Sequence, residues 1–179
     1  SVYGKVTEIT DDRIIIEAAD EQPDEFVPID VPEDASKLDM VKAAGVVGMG
    51  GAGFPTGVKL NINLAETPMG EINPEINPEL PKDFSIDCGY ILINAAECEP
   101  GLEHNTQQIE TQTDKVIRGI KYCMEITHAE KTIIAIKKKH HKAIKALQKA
   151  LEKESAITMH LLPDIYPMGE ERAVVRECL

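Results

Sequence analysis

The sequence predicts an α/β layered domain with a mainly parallel sheet, preceded by a fragment of a small β-domain. Three observations carry this reading. From residue 90 onward, short apolar runs alternate with longer stretches whose apolar residues recur at helical spacing, the pattern of strands joined by crossover helices. Near the start, two alternating runs flank an Asp-Asp turn. Between the two regions stands a glycine-rich segment from Gly45 to Gly57. The 179 residues suit one main domain with a piece of a second, divided as 1–32 and 33–179.

The elements follow in order. Val2 to Ile9 alternates, Asp11-Asp12 turns, and Arg13 to Ala18 forms the second strand of a hairpin. A lone hairpin is not stable in water, so these strands read as the end of a larger β-domain. Residues 19–34 are acidic and carry Pro23, Pro28 and Pro32, as a linker does. Lys37 to Ala44 reads as a short helix closed by Gly45. Residues 65–87 form a proline-rich insertion with a doubled Glu-Ile-Asn-Pro, too short for a repeat architecture. Tyr90 to Asn94 is a strand of the buried, continuously apolar type. A helix over residues 105–126 places Ile109, Val116, Ile117, Ile120 and Met124 near one face. Strand 131–136, amphipathic helix 141–154, strand 156–162 and a helix from Glu170 complete the pattern. The chain stops inside that last helix, which predicts a longer parent protein.

Composition narrows the function. A hydrophobic content of 42% builds a core, and without Trp that core is mostly Ile, Leu, Val and Ala. The net charge of −12 argues against nucleic acid, because neutralising phosphates needs clustered Lys and Arg. Neither a run of about 20 apolar residues nor a secretory leader is evident, so a cytoplasmic location without a membrane span is expected. Cys88, Cys98, Cys123 and Cys178 form no Cys-x-x-Cys pair, so no zinc or iron–sulfur motif is expected. Cys88, Cys123 and Cys178 read as buried, reduced thiols. His140-His141 opens a lysine-rich helix and reads as a solvated face. No arrangement of a nucleophilic catalytic triad is evident.

Three loops carry the candidate chemistry. The glycine segment runs through Gly48, Gly50, Gly51 and Gly53 into Phe54-Pro55-Thr56 and reaches Lys59. Backbone amides in such a loop, a helix start and a lysine together make a phosphate cradle. The second loop, Asn94 to Gly101, follows a strand end, and so does the third, Pro163 to Glu171. In open α/β sheets ligands bind at the carboxyl ends of strands, so the loops are expected to share a crevice. Singly, each has a plainer reading. Glu97 and Glu99 suit solvated or helix-capping carboxylates, Glu170 and Glu171 suit a helix dipole, and Asn94 suits a turn.

Taken together, the three motifs resemble a known superfamily. Gly48-x-Gly50-Gly51-Ala52-Gly53-Phe54-Pro55-Thr56-Gly57-x-Lys59 resembles the flavin loop of the NADH-oxidising flavoprotein subunit of respiratory complex I, and still more the C subunit of the Rnf electron-transport complex. Asn94-Ala95-Ala96-Glu97-Cys98-Glu99-Pro100 is similar to the second signature, in the form typical of Rnf. Tyr166-Pro167-x-Gly169 resembles the third. The resemblance covers about residues 33–179 and implies a Rossmann-like domain behind a barrel-sandwich domain.

The resemblance implies FMN and NADH as cofactors, with hydride transfer from nicotinamide to flavin and no protein general base. It places the FMN phosphate on the glycine loop and Lys59. It lines the flavin with Asn94, Glu97 and Cys98, puts Phe54 on the nicotinamide–adenine side, sets Glu99, Glu170 and Glu171 around NADH or the flavin rim, and counts Tyr166 and Gly169 of the third motif among the cofactor-binding residues. The implied partners are the other components of an Rnf-like membrane complex, which would hold the chain peripherally at the inner face of the membrane. Glu99-Pro100-Gly101-Leu102-x-His104-Asn105 also resembles the electron-transfer protein associated with proline reductase, which makes a reductase the alternative partner. The chain departs from the pattern in three places. Gly169-Glu170-Glu171 has the complex I form, Ala96 stands where complex I carries an acid, and the insertion is expected in neither. The 4Fe-4S cysteines that the family carries downstream are not in this sequence. The alternative function is a flavin-free docking module that keeps the fold.

Overall fold

The computed structural model describes residues 3–22, 28–48, 53–66, 89–99 and 101–179. Most of the proline-rich insertion, residues 67–87, lies outside the described residues, as do Gly50, Gly51, Cys88 and Pro100. The chain divides into two compact units, Ser1–Ala35 and Ser36–Leu179.

The first unit is an antiparallel hairpin of β1 (Gly4–Ile9) and β2 (Ile14–Ala18), with Val6 paired to Ile16 and a bulge between Val6 and Glu8. Thr10 closes the turn, its hydroxyl donating to Asp12 Oδ1 at 2.7 Å and its N–H to Arg13 O at 2.9 Å.

The second unit opens with α1 (Lys37–Ala43). Ser36 caps it: its hydroxyl accepts from Asp39 N–H at 3.1 Å and donates to the Asp39 carboxylate at 2.6 Å. At the other end Gly45, at φ +62°, donates to Lys42 O, and Val46 donates to Val41 O. These are the two bonds of a Schellman closure, and the left-handed position is why glycine ends the helix.

The helix start expected after Phe54 is found, but the helix is short. After Phe54 comes only a single turn, α2 (Thr56–Lys59), entered at Pro55 without a side-chain cap. Four residues align too few peptide dipoles to focus a charge at an N-terminus. The dipole part of the predicted phosphate cradle is therefore withdrawn.

The rest is a layered α/β arrangement. β3 (Tyr90–Ala95), β4 (Lys131–Lys137) and β5 (Ile157–Leu162) form a parallel sheet in the order β3-β4-β5. They are joined by α3 (His104–Thr127) and α4 (His141–Leu151), and β5 leads to α5 (Glu171–Cys178). The predicted fold class holds, with boundaries moved by a few residues. Alternation along β4 divides the core. Ile134 and Ile136 pack with Ile109, Ile117 and Ile120 of α3 and Ala143, Ile144 and Leu147 of α4. Ala135 packs on the opposite side with Ala96, Leu162, Met168 and Val174 of α5.

Further expectations change. β3 is half-buried rather than fully buried, since β4 flanks it on one side alone among the described strands. α3 is broken at Gln112, where φ −136° and ψ 35° are not helical. The Thr111 and Thr113 hydroxyls donate back to Gln107 O and Ile109 O, a bonding pattern that bends helices. His140, read as solvated, is buried at 7% exposure where β4 turns into α4. Cys123 and Cys178 are free and half-buried rather than buried, and Cys98 is also free and half-buried. Burial pushes the Cys123 and Cys178 thiols up, and Glu177 adds to the second, so both stay protonated near neutrality.

Candidate functional site

The second and third loops leave the sheet at the carboxyl ends of β3 and β5 and meet at Gly169. The Gly169 N–H donates to Cys98 Sγ at 2.9 Å, and its carbonyl accepts from Asn94 Nδ2 at 2.8 Å. A Cβ on residue 169 would stand 2.5 Å from both Ala96 O and Cys98 Sγ. Only glycine lets the two loops close to this distance. The junction borders an open cleft of about 390 Å³, lined by Cys98, Glu99, Tyr166, Pro167, Gly169 and Glu170. That volume falls among small-molecule sites.

The acidic side chains have distinct surroundings. Glu97 is 6% exposed and reaches the start of α3. Its Oε1 accepts from Asn105 N–H at 2.5 Å and from Thr106 N–H at 3.2 Å, so it neutralises the positive helix end. Its Oε2 is buried without a hydrogen bond, with His104 Nδ1 3.7 Å away. The Thr106 hydroxyl is also buried and unbonded. Glu170 caps α5, accepting from Ala173 N–H at 3.0 Å, and Glu171 lies in the first turn of that helix. Asn94 uses both ends of its amide, since Oδ1 accepts from Ala96 N–H at 3.2 Å. Tyr166 stands out at 81% exposure.

The glycine loop forms a separate local structure. Gly48 N–H donates to Phe54 O at 3.0 Å and Thr56 N–H to Val46 O at 2.9 Å, which closes the neck of the loop. Gly53, at φ +69°, supplies a left-handed position inside it. Lys59 Nζ lies 6.0 Å from the centre of the exposed Phe54 ring. Gly48, Gly53, Phe54 and Lys59 do not line the cleft. The segment that carries them is tied to the far end of α3, through the Lys37–Glu125 ion pair and Leu64 N–H to Thr127 O at 2.7 Å.

The geometry thus joins two of the three predicted loops directly. Sequence reasoning missed Pro167 as a lining residue, while of the readings open for Glu97 the structure shows the helix-capping one. Asn105 lies eight positions after Glu97, beyond any local capping spacing, so the sequence alone did not show which helix Glu97 caps. Among the described residues no group of three His, Cys, Asp or Glu side chains could hold a metal ion. No described helix is long and apolar enough to cross a membrane.

Known proteins resemble this chain over most of its length. The chain is 40% identical over 131 residues to the cobalamin reductase PduS of Citrobacter freundii, covering 73% of this chain and 23% of that protein. It is 36% identical over 146 residues to the C subunit of the Na(+)-translocating ferredoxin:NAD(+) oxidoreductase complex of Acetobacterium woodii, covering 82% of this chain and 28% of that one. The chain therefore spans about a quarter of the length of these relatives. A solved NAD+-reducing NiFe hydrogenase shares the fold, with a TM-score of 0.55 at 23% identity over 78% of this chain and 22% of that one. Residues 41–179 match the model of the Nuo51 FMN-binding domain, and the chain belongs to that family.

Proposed function

We propose that this chain binds FMN and NADH at the carboxyl edge of its sheet and passes electrons onward within a larger electron-transfer protein. The observation that carries the reading is the closure of two signature loops over one cleft at Gly169. FMN when bound accepts a hydride from nicotinamide and releases its electrons singly. The residues supply what such a group needs. Glu99, Glu170 and the Tyr166 hydroxyl offer polar contacts at the cleft, and Cys98 and Pro167 give it apolar walls. Glu97 Oε2 and Thr106 Oγ1 are buried polar atoms without hydrogen-bond partners, one residue before the cleft and at the start of α3, suited to a sugar hydroxyl.

The described cleft lining contains two carboxylates and no lysine or arginine, so it repels a phosphate. The phosphate belongs instead with the glycine loop, where Gly48 and Gly53 shape the backbone and Lys59 brings positive charge beside Phe54. Glu171 completes the rim with Glu170. The relatives act with NAD(+), ferredoxin or cobalamin by their names, which supports onward transfer to iron–sulfur centres and an acceptor outside this chain. The partners we infer are Rnf-type subunits or a reductase acting on proline or cobalamin, with the chain in the cytoplasm, peripheral to the membrane.

Binding of FMN and of riboflavin separates the parts of this reading. Lys59→Ala weakens FMN about tenfold or more, the value of one charge-assisted bond, and leaves riboflavin unchanged. Equal FMN affinity in parent and variant removes Lys59 from the phosphate site. A second reading, a flavin-free docking module, draws on Asn94 and Glu170, whose side chains already bond within the protein. It predicts no flavin binding by the parent.

A further inference from the structure

Lys137 is a lysine where the packing favours an apolar residue. It ends β4, the middle strand of the sheet, and pairs in register with Leu162. Paired residues of neighbouring parallel strands share a face, so Lys137 lies on the side of Leu162, Ala96, Met168 and Val174. It is 5% exposed. Its ammonium lies 3.7 Å from Asp164 Oδ1, too far for a good hydrogen bond. Lys139 approaches the same oxygen at 3.1 Å from the turn after β4. These lysines, chiefly Lys139, hold the Asp164 carboxyl below the usual carboxylate range. Burying an ammonium is costly, and an apolar side chain of similar size often serves stability as well or better. The lysine is therefore not explained by stability alone.

The position of Asp164 supplies the explanation. It is the second residue after β5, at the start of the loop that carries Tyr166, Pro167 and Gly169 into the cleft. That loop is held at its far end by Gly169, bonded to Asn94 and Cys98 at the end of β3. At its near end Asp164 is held by two lysines at the end of β4. The two anchors bracket Tyr166 and Pro167, and neither Lys137, Lys139 nor Asp164 lines the cleft.

We propose that Lys137 is a positioning residue, which with Lys139 clasps Asp164 and so fixes the cleft wall formed by Tyr166 and Pro167. The flavin part of this proposal rests on the cofactor reading above, while the loop part stands without it. The test compares the parent with Lys137→Met, Lys137→Arg and Asp164→Asn. Amide hydrogen exchange over residues 164–170 reads the loop, titration with FMN reads the cleft, and thermal unfolding reads the fold. Lys137→Met keeps the unfolding midpoint of the parent or raises it, yet speeds exchange in the loop and weakens FMN about fivefold, as loss of one ionic anchor does. Asp164→Asn does the same to the loop and to FMN, and Lys137→Arg restores both. Unchanged exchange in Lys137→Met and Asp164→Asn overturns the clasp, whether or not FMN binds. Faster exchange with unchanged FMN affinity overturns its role at the cleft. Absence of FMN binding in the parent overturns the cofactor reading, and exchange alone then decides the clasp.

Discussion

Replacing Gly169 with alanine probes the junction on which the cleft depends. The new Cβ would stand 2.5 Å from Ala96 O and from Cys98 Sγ. The sulfur belongs to a side chain that can rotate, but the Ala96 carbonyl is backbone beside the buried end of β3 and cannot yield without moving the strand. Forcing a methyl group into a filled space costs about 1–3 kcal/mol. Separating the loops also strains the Gly169–Cys98 and Asn94–Gly169 bonds, each contributing about 1 kcal/mol. A net loss of about 2 kcal/mol lowers the melting temperature by about 4–8 °C in a chain of this size. Calorimetry or denaturant unfolding measures it directly. FMN affinity falls in parallel, because the cleft opens. A variant as stable as the parent with unaltered FMN affinity would mean that the loops do not touch as described.

Glu97→Ala removes the acceptor for two amides at the start of α3 and costs about 1–2 kcal/mol of stability, read as a shift in the urea midpoint; no shift would place the cap elsewhere. The pH dependence follows from Asp39 and Asp164, whose carboxyls are held low chiefly by Ser36 and Lys139 respectively. A carboxyl lowered on folding stabilises above its ordinary value of 3.8, and that contribution is lost as pH falls through the lowered value. Unfolding midpoints followed from pH 6 down therefore hold and then drop below about pH 4. Asp164→Asn flattens part of that drop, and an identical profile in the variant contradicts the Lys139–Asp164 pairing.

The sheet and its helices were legible because each is announced locally. Ile133 to Ile136 can be little but a strand, and Ile144, Leu147 and Leu151 recur at helical spacing. Gly45 announces the end of α1, since the closure there needs a left-handed residue. The site was legible as three motifs, and the meeting of two of them is now visible in the bonds of Gly169. What escaped depends on distance in sequence. Glu97 could be read as a helix cap but not which helix, since its partner lies eight positions on; Lys137 meets an aspartate well beyond the next helix, and His140 is buried by packing that no local pattern records. Phe54-Pro55-Thr56 did announce a helix start, but not its length: Pro55 offers no side-chain cap and Leu60 already ends the turn.

The most direct measurement is an anaerobic titration of the FMN-reconstituted protein with NADH, followed by flavin absorbance. A family fold that also serves as the site binds one FMN per chain and bleaches it on addition of NADH. A protein that retains no flavin, or holds flavin that stays oxidised at saturating NADH, contradicts the account.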